Sequence, residues 1–345
     1  MSPFTMTMLL SSLATGTIIT ATSFHWLMAW IGLELNTLAI IPIISKQHHP
    51  RATEAATKYF LTQAAASALI LFSSTINAWQ SGSWDIMQMT NNTSNILLTM
   101  ALAMKLGLAP THFWLPEVLQ GSSMKTALII STWQKLAPMA LIIIANNNLS
   151  IMVLMTMGML SAIVGGWGGL NQTQTRKIMA YSSIAHLGWM SVITPLMTKL
   201  LILNLVIYIM MTTSMFLVLI LSKSKTLQDT STLLALSPTL MIFTMLTLLS
   251  LGGLPPLTGF IPKWLILQEL TTQNLQMMAT FLALSALLSL FFYLRLTYVM
   301  TLTTPPNTTM FKYKWRFKSL NNTTLMSITL SLSILLLPIT PLIML

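Results

Sequence analysis

The chain contains no cysteine and very little charge. Of its 345 residues, 6 are Asp or Glu and 17 are Lys or Arg, so the charged fraction is 7%. Without cysteine the chain cannot form disulfides, thiolate zinc sites or cysteine-held iron–sulfur clusters. Soluble domains carry about 25% charged residues. A surface so poor in charge cannot face water, and the sequence therefore predicts an integral membrane protein.

Long apolar runs take the place of the missing charge, and 54% of the residues are hydrophobic. A helix needs roughly 20 apolar residues to cross a bilayer, whereas membrane strands are short and alternate in polarity. The runs here are long and continuously apolar, so we predict an all-α polytopic membrane protein with about 11 transmembrane helices. The predicted spans are about 5–22, 24–45, 56–78, 94–114, 124–145, 149–170, 175–195, 199–221, 238–262, 274–300 and 325–344.

Basic residues fall almost entirely in the loops on one side of these spans. We count 12 on that side and 1, Lys199, on the other. This positive-inside asymmetry puts the N-terminus on the positive side and the C-terminus on the opposite side. The net charge of +11 is then explained by loops beside anionic lipids such as cardiolipin, and not by nucleic-acid binding. The 12 residues are Lys46, Arg51, Lys58, Lys125, Arg176, Lys177, Lys223, Lys225, Lys312, Lys314, Arg316 and Lys318.

Two similar proline-rich stretches each end a long apolar run. GLAPTHFWLPE covers residues 107–117, and GLPPLTGFIPK covers 253–263, 146 positions later (253 minus 107). They belong to the fourth and ninth spans, which cross the membrane in opposite directions. Broken helices in inverted repeats are a common transporter plan and mark the ion path. We therefore predict, within one domain, two inverted five-helix repeats at about 1–148 and 149–300, each with a Pro-broken helix, and a C-terminal helix at about 325–344.

Ionisable side chains inside the spans need a reason, because burying one costs roughly 2.5–3.5 kcal/mol on insertion scales. Glu34 and Lys105 have opposite charges and could pair across the second and fourth spans. A carboxylate holds a nearby lysine protonated, so moving the carboxylate would move a proton. The alternative interpretation is a static structural ion pair.

Further ionisable residues extend this series. Lys135 lies near the middle of the fifth span with no carboxylate close in sequence, and Pro138 follows it. Lys263 ends the second proline-rich stretch, and its ammonium could instead extend to the membrane surface. His112 and His186 are candidate relay groups, because histidine titrates near neutrality. For each histidine the alternative is a buried, neutral, hydrogen-bonded ring, and the histidine spacing predicts no metal or haem site.

Six segments with polar residues are distinctive: WIGLELN (30–36), EAATKYFLTQA (54–64), MKLGLAPTHFWLPEV (104–118), TWQKLAP (132–138), GGLNQTQTRKIMAYSSIAHLGWM (168–190) and LSLGGLPPLTGFIPKW (249–264). Together the chain resembles the antiporter-like membrane subunits of respiratory complex I, over essentially its whole length. The resemblance implies proton translocation coupled to electron transfer from NADH to ubiquinone elsewhere in the complex. It also implies a relay of Glu34, Lys105, Lys135 and Lys263.

The resemblance further implies that the chain binds no cofactor of its own, and that NADH, FMN, iron–sulfur clusters and ubiquinone belong to other subunits. The expected partners are other membrane-arm subunits, including neighbouring antiporter-like and small membrane subunits. The expected location is the mitochondrial inner membrane, with the N-terminus in the matrix and the C-terminus in the intermembrane space. Two alternatives remain open: a stand-alone cation/proton antiporter, which the low helix count disfavours, and a structural spacer that transmits coupling without a proton path.

Overall fold

Helices make up nearly all of the described chain. The computed structural model describes residues 2–303 and 323–340, and within these ranges the only β-type pairing is two isolated bridges. Helices α1–α8 are Pro3–Thr22, Trp26–Ile44, Pro50–Ser81, Asn92–Leu106, Trp114–Gly121, Met124–Ser131, Trp133–Ile144 and Ile151–Gly169. Helices α9–α16 are Thr175–Ile193, Thr198–Ser222, Leu227–Ser231, Leu233–Leu236, Pro238–Gly252, Phe260–Thr272, Gln276–Leu302 and Thr324–Leu335.

Seven helical stretches of the described chain are long and apolar enough to cross a membrane. They are α1, α2, α3, α6 together with α7, α8, α10 and α15, while α13 and α16 are shorter apolar helices. Helices satisfy all their backbone hydrogen bonds internally, which is the requirement for a segment in lipid. The predicted all-α membrane class is confirmed.

Every predicted span contains an observed helix, but four spans are interrupted. In the last span, α16 ends at Leu335 and a short 3-10 helix follows at Leu337–Ile339. The fourth was expected to run to 114, yet α4 ends at Leu106 and α5 begins at Trp114. The ninth was expected to run to 262, yet α13 ends at Gly252 and α14 begins at Phe260. The fifth divides at Thr132 into α6 and α7. In both proline-rich stretches a glycine in the left-handed conformation ends the helix, so the chain turns before the prolines are reached.

Two of the loop histidines begin helices. His25 Nδ1 accepts a hydrogen bond from the Leu27 N–H at 3.2 Å, and His49 Nδ1 accepts one from the Arg51 N–H at 3.1 Å. The first turn of a helix has N–H groups without a helical acceptor, and such caps satisfy one of them.

Among residues 2–303 and 323–340 there is no group of three or more His, Asp or Glu that could hold a metal ion.

The chain divides into two compact units. The first consists of residues 1–164 with 183–198, and the second of 165–182 with 199–345. Helices α8 and α9 each contribute to both units. The predicted inverted repeats at 1–148 and 149–300 therefore follow a different division of the chain, and they stay a prediction.

In the second unit, backbone pairing joins two loops. The Thr175 N–H donates to the Lys225 carbonyl at 3.1 Å, and the Leu227 N–H donates to the Thr173 carbonyl at 3.0 Å. Asp229 closes a capping box at the start of α11. Hydrogen bonds from the backbone of Thr226 and Lys225 lower the pKa of this carboxyl.

Part of the predicted basic surface lies outside the described residues. This part includes the run 311–318, which contains Lys312, Lys314, Arg316 and Lys318. The end of the last predicted span, 341–344, also lies outside them. The expected contact of this run with anionic lipid stays a prediction.

Candidate functional site

The first proline-rich stretch ends α4 in a way that leaves carbonyl groups available. Gly107 has φ 81°, and its N–H donates to the Met104 carbonyl at 3.2 Å. The Leu108 N–H donates to the Ala103 carbonyl at 3.0 Å, which completes a Schellman turn. The last carbonyls of the helix, at positions 105 and 106, have no helical donor and must be satisfied by side chains or water.

Lys135 meets one of these carbonyls. Only 2% of the residue is exposed, and its Nζ donates to the Leu106 carbonyl. The ammonium also lies 5.6 Å from the centroid of the Trp114 ring. A helix C-terminus and the face of an aromatic ring both attract a cation. In the described residues no ion pair joins Lys135 to a carboxylate.

The sequence left open an ion pair between Lys105 and Glu34. No ion pair within 4.0 Å joins them in the part of the chain that the structure describes. Lys105 Nζ and Glu34 Oε2 are both buried and lack a hydrogen-bond partner there. Glu34 lies on α2 and Lys105 on α4. A buried ammonium without a partner is costly, so it calls for water or for a mobile partner.

A small cavity beside Lys105 and Lys135 supplies room for such water. The cavity has a volume of about 10 Å³, which gives room for about one water molecule. Pro138 also lines it, and because proline has no N–H, the Gln134 carbonyl one turn earlier lacks its helical donor. The polar residues that line the cavity are Asn36, Thr37, Tyr59, Gln63, Lys105, Gln134 and Lys135.

Long hydrogen bonds connect several of these neutral side chains. The Tyr59 hydroxyl donates to Gln134 Oε1 at 3.5 Å, and Gln134 Nε2 donates to the Asn36 carbonyl at 3.5 Å. Gln63 Nε2 donates to the Lys105 carbonyl, also at 3.5 Å. Both polar atoms of the buried Asn36 amide lack a partner in the described residues. These contacts are loose enough to exchange with water, which can carry protons between groups that do not touch.

Sequence reasoning missed these four neutral residues. Asn36 and Gln134 neighbour the charged positions 34 and 135 in sequence, and Tyr59 and Gln63 lie one turn apart on α3. A polar side chain near a buried charge in an apolar span is itself a usable signal, since it needs a partner as the charge does.

The two candidate histidines do not line the cavity. His112 lies in the turn between α4 and α5 and is 5% exposed, and its Nδ1 is buried without a partner among the described residues. His186 lies in α9 and is 7% exposed. Both belong to the first unit. Their burial is compatible with either a relay or a structural role.

Lys263 lies in the second unit, at the equivalent helix end. Gly253 ends α13 with φ 83°, and its N–H donates to the Ser250 carbonyl at 2.9 Å. Lys263 comes from the following helix, α14, and its Nζ donates to the Gly252 carbonyl at 2.9 Å. The ammonium therefore lies at the end of the preceding helix, α13.

Comparisons with known proteins agree with this architecture. The NADH:quinone oxidoreductase/Mrp antiporter transmembrane family matches residues 23–289, and the family described as NADH dehydrogenase subunit 2 C-terminus matches 290–344. NADH-ubiquinone oxidoreductase chain 2 of Varanus timorensis is 60% identical over 99% of this chain and 99% of its own length. The same protein of Xenopus laevis is 58% identical, with the same coverage.

Solved structures show the same fold. A chain of respiratory complex I from Thermus thermophilus matches 98% of this chain and 80% of its own length, with a TM-score of 0.84 and 27% identity. A chain of the Mrp complex from Dietzia matches with a TM-score of 0.80 and 15% identity, covering 97% of this chain and 75% of its own. At that identity the likeness concerns the fold alone. The chain therefore belongs to the NADH:quinone oxidoreductase/Mrp antiporter family of membrane subunits, in the group formed by chain 2 of NADH-ubiquinone oxidoreductase.

Proposed function

We propose that the chain translocates protons across the mitochondrial inner membrane as a membrane-arm subunit of respiratory complex I. Electron transfer from NADH to ubiquinone would drive it from other subunits, which would hold the redox cofactors. One observation carries the proposal: Lys105 is buried without a hydrogen-bond partner among the described residues and lines a cavity together with Lys135. A membrane protein keeps such a charge where the charge has a function.

The relay would begin at Glu34. A carboxylate near a lysine favours the charged form of the lysine, so a change in the charge or position of Glu34 would change how firmly Lys105 holds its proton. Lys135 lines the same cavity, which has room for about one water that could carry a proton between the lysines. Lys135 would first pass its own proton on, and its neutral amine would then accept the proton that Lys105 releases.

Lys263 would be the last group of the relay, on the way to release. Its Nζ holds the Gly252 carbonyl in the second unit. His112 and His186 are further candidates for the relay, supported by their burial and by their ability to gain and lose protons near neutrality.

The surroundings of the chain follow from the same proposal. The excess of basic residues on one side supports a matrix-facing N-terminus and an intermembrane-space C-terminus. Those basic loops would contact anionic lipids such as cardiolipin. Neighbouring antiporter-like and small membrane subunits would cover apolar helix faces, such as that of α1, whose span is only 17% buried.

The test is the substitution Lys135→Met in the assembled complex, reconstituted in vesicles and measured as protons moved per NADH oxidised. A positioned proton-transfer group accelerates its step by about 100-fold or more, so loss of Lys135 should remove the contribution of this chain. The matched control is Lys199→Met, which removes an exposed lysine outside the relay. Equal proton yields from native and Lys135→Met complexes would sink the relay.

A structural role for the same lysines is the second candidate function. Lys135 and Lys263 each hold the last carbonyl of a broken helix, as a capping side chain does. Lys135→Arg separates the two roles, because arginine keeps the charge and the donors but does not release its proton. A relay predicts that Lys135→Arg assembles and fails to move protons through this chain. A cap predicts that it assembles and pumps normally.

A further inference from the structure

The short helix α5 is joined to α3 by an ion pair at the surface of the first unit. Lys58 Nζ on α3 lies 2.7 Å from Glu117 Oε2 on α5. The same ammonium lies 2.5 Å from Glu54 Oε1, one turn earlier on α3. The three side chains are about half exposed. Glu54 pairs with Lys58 within α3, whereas the pair with Glu117 joins α3 to α5.

The ion pair is the middle of three contacts along one face of α5. At one end, Gly121 packs so closely on α3 that an added Cβ would lie 2.6 Å from the Arg51 carbonyl oxygen and 2.6 Å from Ala55 Cβ. At the other end, the Trp114 ring meets the Tyr59 ring edge-on, with centroids 5.8 Å apart. Residues 114, 117 and 121 are spaced by three and four positions, so they share one helix face.

The inner end of this face reaches the buried lysine. The Lys135 ammonium lies over the Trp114 ring, 5.6 Å from the ring centroid. Trp114 Nε1 donates a hydrogen bond to the Met104 carbonyl at 3.3 Å. Trp114 and Tyr59 also line the cavity. The placement of α5 therefore sets the surroundings of Lys135.

Helix α5 cannot hold this placement by itself. It has eight residues, and no side chain caps its N-terminus. Isolated helices shorter than about 12 residues are marginally stable, so the packing of α5 depends on its anchors. Since α5 packs chiefly on α3, the half-exposed Lys58–Glu117 pair is a polar anchor that can be altered without touching the cavity.

We infer that Lys58 and Glu117 are positioning residues for Lys135. Their ion pair holds α5 against α3 and keeps Trp114 beneath the Lys135 ammonium. This inference rests on the proposed proton relay and adds to it two residues that touch neither the cavity nor the relay lysines. Glu54 is not part of the link, because it lies on the same helix as Lys58.

The experiment compares Glu117→Gln, Lys58→Gln and Lys58→Arg with the matched control Glu54→Gln, each in the assembled complex in vesicles. Glu54→Gln removes a carboxylate from the same lysine without breaking the link between α3 and α5. NADH oxidation and proton movement are measured separately, together with the amount of assembled complex. A misplacement of about 1 Å can slow a positioned step by up to about 100-fold. We expect Glu117→Gln and Lys58→Gln to slow proton transfer through this chain at least about ten-fold, while Lys58→Arg and Glu54→Gln keep it.

Three results would overturn the inference. Normal pumping by Glu117→Gln would show that the pair does not position Lys135. Equal losses from Glu54→Gln and Glu117→Gln would point to local surface charge instead. Failure of Glu117→Gln and Lys58→Gln to assemble would assign the pair to folding, unless the charge-exchanged variant Lys58→Glu with Glu117→Lys recovers both assembly and pumping. The Lys135→Met variant keeps the two proposals apart, because normal pumping there would remove the relay itself.

Discussion

The two proline-rich stretches build the same helix end. Gly107 and Gly253 have φ 81° and 83°, and the residue after each donates to the carbonyl five positions earlier, at 3.0 and 3.3 Å. In both, the carbonyl directly before the glycine accepts a lysine ammonium. A helix C-terminus inside a membrane has no bulk water to satisfy its last carbonyls, so a cation serves both units in the same way.

The two helix ends differ in the position in the chain of the lysine that binds the carbonyl. At the first, it is Lys135 on α7, and position 117, which closes the motif, holds a glutamate that pairs with Lys58 on α3. At the second, the closing position holds Lys263 itself, which turns back to its own helix end. The first end therefore takes its cation from a helix that lies later in the chain, α7, whereas the second takes it from the helix that directly follows the break, α14.

A second difference lies five residues after each glycine. His112 occupies this position in the first stretch, with a buried Nδ1 that lacks a partner in the described residues. Thr258 occupies it in the second, and its hydroxyl donates to the Ser333 carbonyl on α16 at 2.5 Å. The second end is thus joined to the C-terminal helix α16 by a hydrogen bond, whereas His112 Nδ1 at the first end makes no hydrogen bond within the described residues.

The largest effect is expected when Lys105 at the first helix end is replaced by the residue found at the corresponding position of the second helix end. Position 251, two residues before Gly253, is leucine where position 105 is lysine. Lys105→Leu should slow proton transfer through this chain about 100-fold, as expected for loss of a proton-transfer group. Assembly should survive, because Lys105 Nζ has no hydrogen bond in the described residues to lose. Protons moved per NADH give the readout, and a native yield from well-assembled complex would contradict the contrast between the two ends.

A smaller effect is expected from placing alanine at each glycine. The left-handed conformation costs a residue other than glycine about 1–2 kcal/mol. At Gly253 the added Cβ would also lie 2.9 Å from Lys263 Cδ and displace its ammonium, whereas at Gly107 the nearest atom is Leu115 Cδ1 at 3.2 Å. Gly253→Ala should therefore lower the thermal stability of the complex more than Gly107→Ala does. The reverse order would show that the second end is not closed by its own lysine.

The smallest effect is expected at the anchor to α16. Thr258→Val keeps the shape of the side chain and removes the hydrogen bond to Ser333, at a cost of about 1 kcal/mol. Hydrogen exchange should become faster in 324–335 without change elsewhere, and the control Thr258→Ser should behave as native protein. Unchanged exchange in Thr258→Val would mean that apolar packing alone holds α16.

Much of this arrangement was accessible from pattern alone. The apolar runs predicted a helix for each span, because span length and apolar content are set by the bilayer. The buried charges pointed to Lys105, Lys135 and Lys263 for the same reason. The direct contact of Glu34 with Lys105 could not be tested by sequence, since charge sign says nothing about how two backbones space their side chains. Asn36 and Tyr59 were missed because neutral polar groups reveal a role only through their neighbours.

By itself the sequence determined that this chain is a polytopic helical membrane protein with charged residues inside several of its spans. Composition and run length decide this, because only helices and closed barrels satisfy their backbone in lipid, and barrel strands are short and alternate in polarity. Only the tertiary structure decided which atoms those charges meet. The ammonium groups of Lys135 and Lys263 each donate to the carbonyl before a left-handed glycine. Lys105 lines a cavity, and its Nζ has no hydrogen-bond partner in the described residues. Such contacts depend on how helices distant in sequence pack together, and the packing of side chains fixes distances of a few ångströms that no local pattern encodes.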